Sequence, residues 1–133
     1  MFILKKGKVK TILLPVTAST VIAEGALVTT TSGLLVAATS GTATNLIVGV
    51  LKKAIAATDS DYADSRSVEV VVPVEKNVEW EFDVTATLAT TDVGALADIT
   101  DSVTVNRAAS SVNVVRITKF ISTVKGQGII LFS

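Results

Sequence analysis

Glu79, Glu81 and Asp83 stand at every second position of one short segment. Paired carboxylates can serve as acid and nucleophile in glycoside hydrolysis, and three together can hold a cation. On an extended strand, side chains two residues apart lie about 7 Å from one another, so one strand cannot chelate a metal alone. A loop would have to complete the site. Sugar sites also need aromatic platforms, but the only Trp, Trp80, alternates onto the opposite face with Val78 and Phe82. That placement makes Trp80 a core residue. The three carboxylates are expected to form a polar face, either solvated or docked to basic residues of a neighbour.

A second acidic cluster, Asp59, Asp61 and Asp64, has the first two positions of a calcium loop. It lacks the glycine and the terminal glutamate that an EF-hand loop needs. The chain has neither His nor Cys. Thiolate zinc sites, Cys nucleophiles and every Ser–His or Cys–His arrangement are therefore excluded. No glycine-rich phosphate loop precedes a helix. The expectation is a protein without catalytic residues, cofactor or metal, which works by binding.

The elements that carry these residues read as strands. Among 133 residues are twenty-one Val and eighteen Thr, both β-branched and at home on a pleated surface. With 49% hydrophobic and 18% charged residues the chain should fold, and its length suits one domain with one core but not two. Residues 78–88 alternate strictly between apolar and polar, which predicts an eleven-residue strand with one face in the core. Ser32-Gly33 between residues 26–31 and 34–38 predicts a hairpin. A loop over 39–45 leads to a strand at 46–50. Residues 51–57 are read as strand, being short and uncapped for a helix, and 58–66 as a polar loop at a barrel end. Residues 68–74 form a strand that Pro73 assigns to an edge or a bulge. Residues 90–94 form a turn, with at most one short helical turn. Strands follow near 97–100, 102–105 and 112–121. Gly126-Gln127-Gly128 then punctuates the chain before a last strand at 129–132. The fold class is all-β: a single compact β-barrel or β-tulip-like domain.

Net charge is zero but segregated: +5 over residues 1–58, −9 over 59–101 and +4 over 102–133. No basic surface interleaved with aromatic platforms is present, so direct nucleic-acid binding is not expected. Residues 25–51 carry no charge but are broken by Gly, Thr and Ser, so they read as hairpins and not as a membrane span. Lys5, Lys6, Lys8 and Lys10 precede the apolar residues 11–16, a pattern too short and too broken for a signal peptide. Residues 1–15 are read as an N-terminal arm with an apolar tip, Phe2, Ile3 and Leu4, and residues 16–133 as the β domain. An ordinary edge strand is the alternative for the arm.

The order of turns and strands resembles the small capsid decoration, or cement, proteins of tailed bacteriophages. The resemblance is carried by Glu24-Gly25-Ala26-Leu27-Val28, Ser32-Gly33 and Val48-Gly49-Val50-Leu51 in the first half. In the second half it is carried by Phe82-Asp83-Val84-Thr85, Thr91-Asp92-Val93-Gly94, Asp98-Ile99-Thr100-Asp101, Thr104-Val105-Asn106 and Arg116-Ile117-Thr118-Lys119-Phe120-Ile121. It implies a homotrimer on the outer capsid surface between capsomers, with the major capsid protein as partner and no catalytic residues. Capsid-contact candidates are Phe2, Ile3, Leu4, Lys5, Lys6, Lys8 and Lys10, with Glu79, Glu81 and Asp83 as further contacts. Deleting residues 1–10 should abolish capsid binding and leave the fold intact. Other virion β-barrels and a secreted glycan-binding protein are the competing readings.

Overall fold

The computed structural model describes residues 1–43 and 46–131. The end of the expected loop at Thr44-Asn45 and the end of the last expected strand at Phe132 lie outside the described residues. The described chain is all-β, with eleven strands and a 3-10 turn at Thr90–Asp92.

One sheet contains β1 (Ile3–Lys6), β7 (Glu79–Thr85), β8 (Leu96–Asp101), β9 (Thr104–Asn106), β10 (Val115–Ser122) and β11 (Lys125–Ile130). Its order is β1-β7-β11-β10-β8-β9. Parallel pairing of Asp83, Val84 and Thr85 with Thr104, Val105 and Asn106 joins β9 back to β7 and closes a five-stranded barrel. β1 lies on the same edge of β7, beside its first residues, with Ile3 opposite Glu81. The other sheet contains β2 (Val9–Pro15), β3 (Leu27–Thr31), β4 (Leu34–Ala37), β5 (Gly49–Leu51) and β6 (Ser67–Pro73), in the order β2-β6-β5-β3-β4. It curls until a parallel bridge joins Val16 to Leu35, where the Thr17 N–H donates to the Leu35 carbonyl at 3.1 Å.

Two hydrophobic clusters fill these sheets where one core was expected. The first holds Trp80, Phe82, Ile99, Val105 and Ile117, and the second Val16, Ile22, Val28, Leu35, Leu51 and Val70. A five-stranded barrel is narrow enough for a few side chains to fill, so 133 residues also supply a second cluster on the other sheet. Leu27 and Val50 of the second sheet pack into the first cluster, which joins the two sheets into one domain.

Several local expectations are met. Val78, Trp80, Phe82, Val84 and Leu88 are buried as the alternation requires. Ser32 and Gly33 both adopt positive φ, 52° and 80°, the geometry of a two-residue hairpin turn. Others are corrected. The strand at 78–88 stops at Thr85, because Ala86 and Thr87 take positive φ and turn the chain. Residues 52–57 form a turn, and only Ile55 is bridged, to Ile22. β6 is a central strand despite Pro73. The Val74 N–H donates to the Lys8 carbonyl, so the imide nitrogen of Pro73 faces the other edge, beyond the last residue paired with β5. No ladder bond is lost there. Gly126 and Gly128 do not precede the last strand but lie within it. A Cβ on Gly126 would sit 2.9 Å from Leu88 Cδ2, and one on Gly128 would collide with the Arg116 carbonyl.

The N-terminal arm is also corrected. Residues 1–15 supply one strand to each sheet, β1 and β2. Phe2 is 2% exposed, its N–H donates to the Gly25 carbonyl, and its ring packs 5.7 Å from that of Phe82. An apolar tip this large is worth more inside a core than in water, which ties the segment down.

Candidate interaction surface

The alternation of β7 points Glu79, Glu81 and Asp83 out of the barrel, where the chain's own cations meet them. Lys5 Nζ lies 3.1 Å from Glu81, and Lys125 Nζ lies 3.5 Å from Glu81 and 3.8 Å from Asp83. The amino terminus lies 3.3 Å from Asp83. Glu79 accepts hydrogen bonds from the Thr118 hydroxyl at 2.5 Å and from Gln127 Nε2 at 3.4 Å. The Lys5 ammonium, with help from Lys125, holds the Glu81 pKa below the usual carboxylate range against a smaller effect of burial. The expected basic neighbour is therefore β1 and β11 of the same molecule.

The calcium-like loop is similarly occupied. Arg66 Nη2 lies 2.9 Å from Asp59 and its Nε 3.1 Å from Asp61, while Nη1 donates to the Asp61 carbonyl. A guanidinium stands where a cation would. Among the described residues no group of three or more acidic side chains is placed to hold a metal ion. Among the described residues no helix is long and apolar enough to cross a membrane.

Two further carboxylates organise loops and were not singled out from the sequence. Asp98, 5% exposed, accepts from the Ser111 N–H and hydroxyl at 3.0 Å each, from the Val112 N–H at 2.8 Å and from the Asn113 N–H at 2.7 Å. Burial opposes its charge, yet the donors of Asn113, Val112 and Ser111 outweigh burial and hold its pKa low. Asp92 accepts from Arg107 Nε at 2.9 Å and from the Ala89 N–H at 2.8 Å, and Arg107 is the larger cause of its lowered pKa. The only available signal for Asp98 was a carboxylate inside an apolar strand whose polar partners lie thirteen to fifteen residues later.

The capsid-contact candidates thus separate. Phe2 is core, and Lys5, Glu79, Glu81 and Asp83 are engaged within the chain. Ile3 and Leu4 remain partly exposed, and β2 adds Leu13 at 65%. Lys6, Lys8 and Lys10 form no ion pair among the described residues. The first two strands and the turn between them therefore carry exposed basic and apolar side chains. Elsewhere a groove of about 580 Å³ is lined mainly by Val and Ile side chains of β6, β11 and the residues before β5, with Glu75 and Lys76 as its charged groups.

No protein-family model matches this chain, and no curated protein matches it significantly.

Proposed function

We propose that this chain is a structural virion protein of the decoration type. It binds the outer surface of a bacteriophage capsid between capsomers and stabilises the shell by bridging major capsid subunits. The observation that supports this most is the set of exposed side chains on the first two strands and the turn between them: Ile3, Leu4, Lys6, Lys8, Lys10 and Leu13. They are basic or apolar, while Glu81 on the acidic face is paired within the chain. Cations flanking apolar side chains suit an acidic protein surface. A homotrimer would present three such sets of residues, and effective concentration would turn a weak contact into a durable one on a lattice that repeats it.

Mixing the purified protein with decoration-free particles and imaging them by electron cryo-microscopy tests this reading. Density at capsomer junctions is expected, and Lys6→Glu/Lys8→Glu/Lys10→Glu should remove it while the melting curve stays in place. Deletion of residues 1–10 is a poor test, because it also removes Phe2 from the core. Bare particles at saturating wild-type protein refute the reading.

A further inference from the structure

The two sheets have the same strand order once the second is renumbered: β2-β6-β5-β3-β4 corresponds to β7-β11-β10-β8-β9. Four neighbours are antiparallel in each, and each circuit is closed by a parallel contact, Val16 with Leu35 and Val84 with Val105. The registers agree at the central pairs, and β8 and β9 slip only beyond Ile99. In one sheet Thr11 pairs with Val71, Val71 with Val50 and Val50 with Leu27; in the other Glu79 pairs with Ile129, Ile129 with Arg116 and Arg116 with Leu96. Three residues further on, Thr30 pairs with Leu35 and Ile99 with Val105, which returns both circuits to their starting strands without a slip. Bonds outside the ladders repeat as well. Gly25 N–H to Leu51 O, Leu51 N–H to Ala26 O and Val48 N–H to Val28 O match Gly94 to Ile117, Ile117 to Ala95 and Val114 to Ala97. Two tripeptides stand at equivalent positions, Val16-Thr17-Ala18 with Val84-Thr85-Ala86 and Gly25-Ala26-Leu27 with Gly94-Ala95-Leu96. The chain is a tandem of one five-stranded unit.

The units differ at one edge. In the second unit, the stretch Glu79 to Glu81 of β7 is covered by β1. The equivalent stretch of β2, Thr11 to Leu13, is covered by no strand among the described residues. The Val16 N–H donates to the Arg66 carbonyl and the Val74 N–H to the Lys8 carbonyl, so the even-numbered residues of β2 turn their backbone groups toward β6. By alternation Val9, Thr11 and Leu13 direct theirs to the open edge. Pro15, which has no N–H to offer, lies on that same edge just before the Val16–Leu35 bridge. Thr11 and Leu13 are exposed, and Lys8 and Lys10 flank the edge without ion pairs among the described residues.

We infer that the Thr11–Leu13 edge of β2 is a vacant strand-acceptor site that takes an extended segment of a partner protein, with apolar and carboxylate side chains alternating. The occupied edge shows the pattern in reverse: there the basic β1 lies on the acidic β7, and Lys5 meets Glu81. Here the host strand is basic, so charge complementarity asks for an acidic guest, while main-chain hydrogen bonds supply much of the affinity. The docking reading above is needed only for the source of that strand.

A synthetic peptide copying residues 78–85, which has the required alternation, is the probe. Titrated into the full chain, it should shift the amide resonances of Val9, Thr11 and Leu13 and slow their hydrogen exchange, with binding weakened by salt. Thr11→Pro deletes an outward N–H without touching the β6 ladder and should weaken binding at least tenfold. Lys8→Glu/Lys10→Glu should do the same with the backbone unaltered, which keeps the test decisive if the proline variant does not fold. No shifts at millimolar peptide, or shifts at β1 or β9 instead, overturn the inference. So does exchange protection of Thr11 and Leu13 that rises with protein concentration alone, because a second copy would then fill the edge. Failure with the peptide alongside intact particle binding sinks the edge and leaves the docking reading standing.

Discussion

Replacing Asp98 by Ala removes one carboxylate and four accepted hydrogen bonds at the junction between β8 and the segment before β10. Ser111 is exposed, so water can take over its two bonds. Val112 and Asn113 are half-buried, and their N–H groups lose a charged acceptor. Two such losses cost about 3–4 kcal/mol in total. That is a large part of a typical domain's ~5–15 kcal/mol, and for a chain of this length it lowers Tm by roughly 10–15 °C. Asn113 stands at φ 61°, a left-handed conformation that Asn tolerates better than most side chains. The sign of the pH effect follows from the lowered pKa. Asp98 stabilises the fold fully above its unfolded-state pKa, about 3.9, and this contribution disappears as pH falls through the lower folded value. The difference in Tm between wild type and Asp98→Ala should therefore be greatest near neutral pH and shrink on acidification. Calorimetry across that range is the assay, with hydrogen exchange at Ser111, Val112 and Asn113 as the local readout. A Tm within about 2 °C of wild type at neutral pH, where each kcal/mol moves Tm by several degrees, would refute the reasoning.

Phe2→Ala should destabilise the protein by about 3 kcal/mol, a cavity cost measurable in urea, because the ring is buried against Phe82. An N-terminus that behaved as a free arm would show no change. The Glu81 carboxyl carbon, followed by NMR, should titrate below the ordinary glutamate value, and the depression should diminish in Lys5→Ala. The stability it lends is present above the unfolded pKa and lost as pH drops through the folded one. Calcium added to the wild type should leave residues 59–66 unshifted in NMR spectra, since Arg66 occupies Asp59 and Asp61; Arg66→Ala should loosen the loop and speed its proteolysis. Gly128→Ala should destabilise by about 1–3 kcal/mol or more, as a Cβ there meets the Arg116 carbonyl.

What the amino-acid order determined alone is what adjacent residues decide between them. Val and Thr content sets the β class, Ser32-Gly33 sets a hairpin, and alternation from Val78 to Val84 sets which side chains are buried. These are properties of steric preference and period, and they need no knowledge of the rest of the chain. Tertiary structure decided everything that depends on a partner far away in sequence. Lys5 neutralises Glu81 only because β1 returns to β7, and Asp98 is an anchor only because Ser111, Val112 and Asn113 wrap around it. Phe2 and the lysines after it read as an arm because nothing local announces that Phe82 awaits the ring. The tandem of two units was equally hidden. Its identity lies in backbone register, and outside two shared tripeptides the side chains at equivalent positions mostly differ, as Ile12 and Trp80 do at one of them. Strand pairing is blind to much of what the side chains are, so the same five-stranded circuit closes twice on different sequences, once with its extra edge covered and once open.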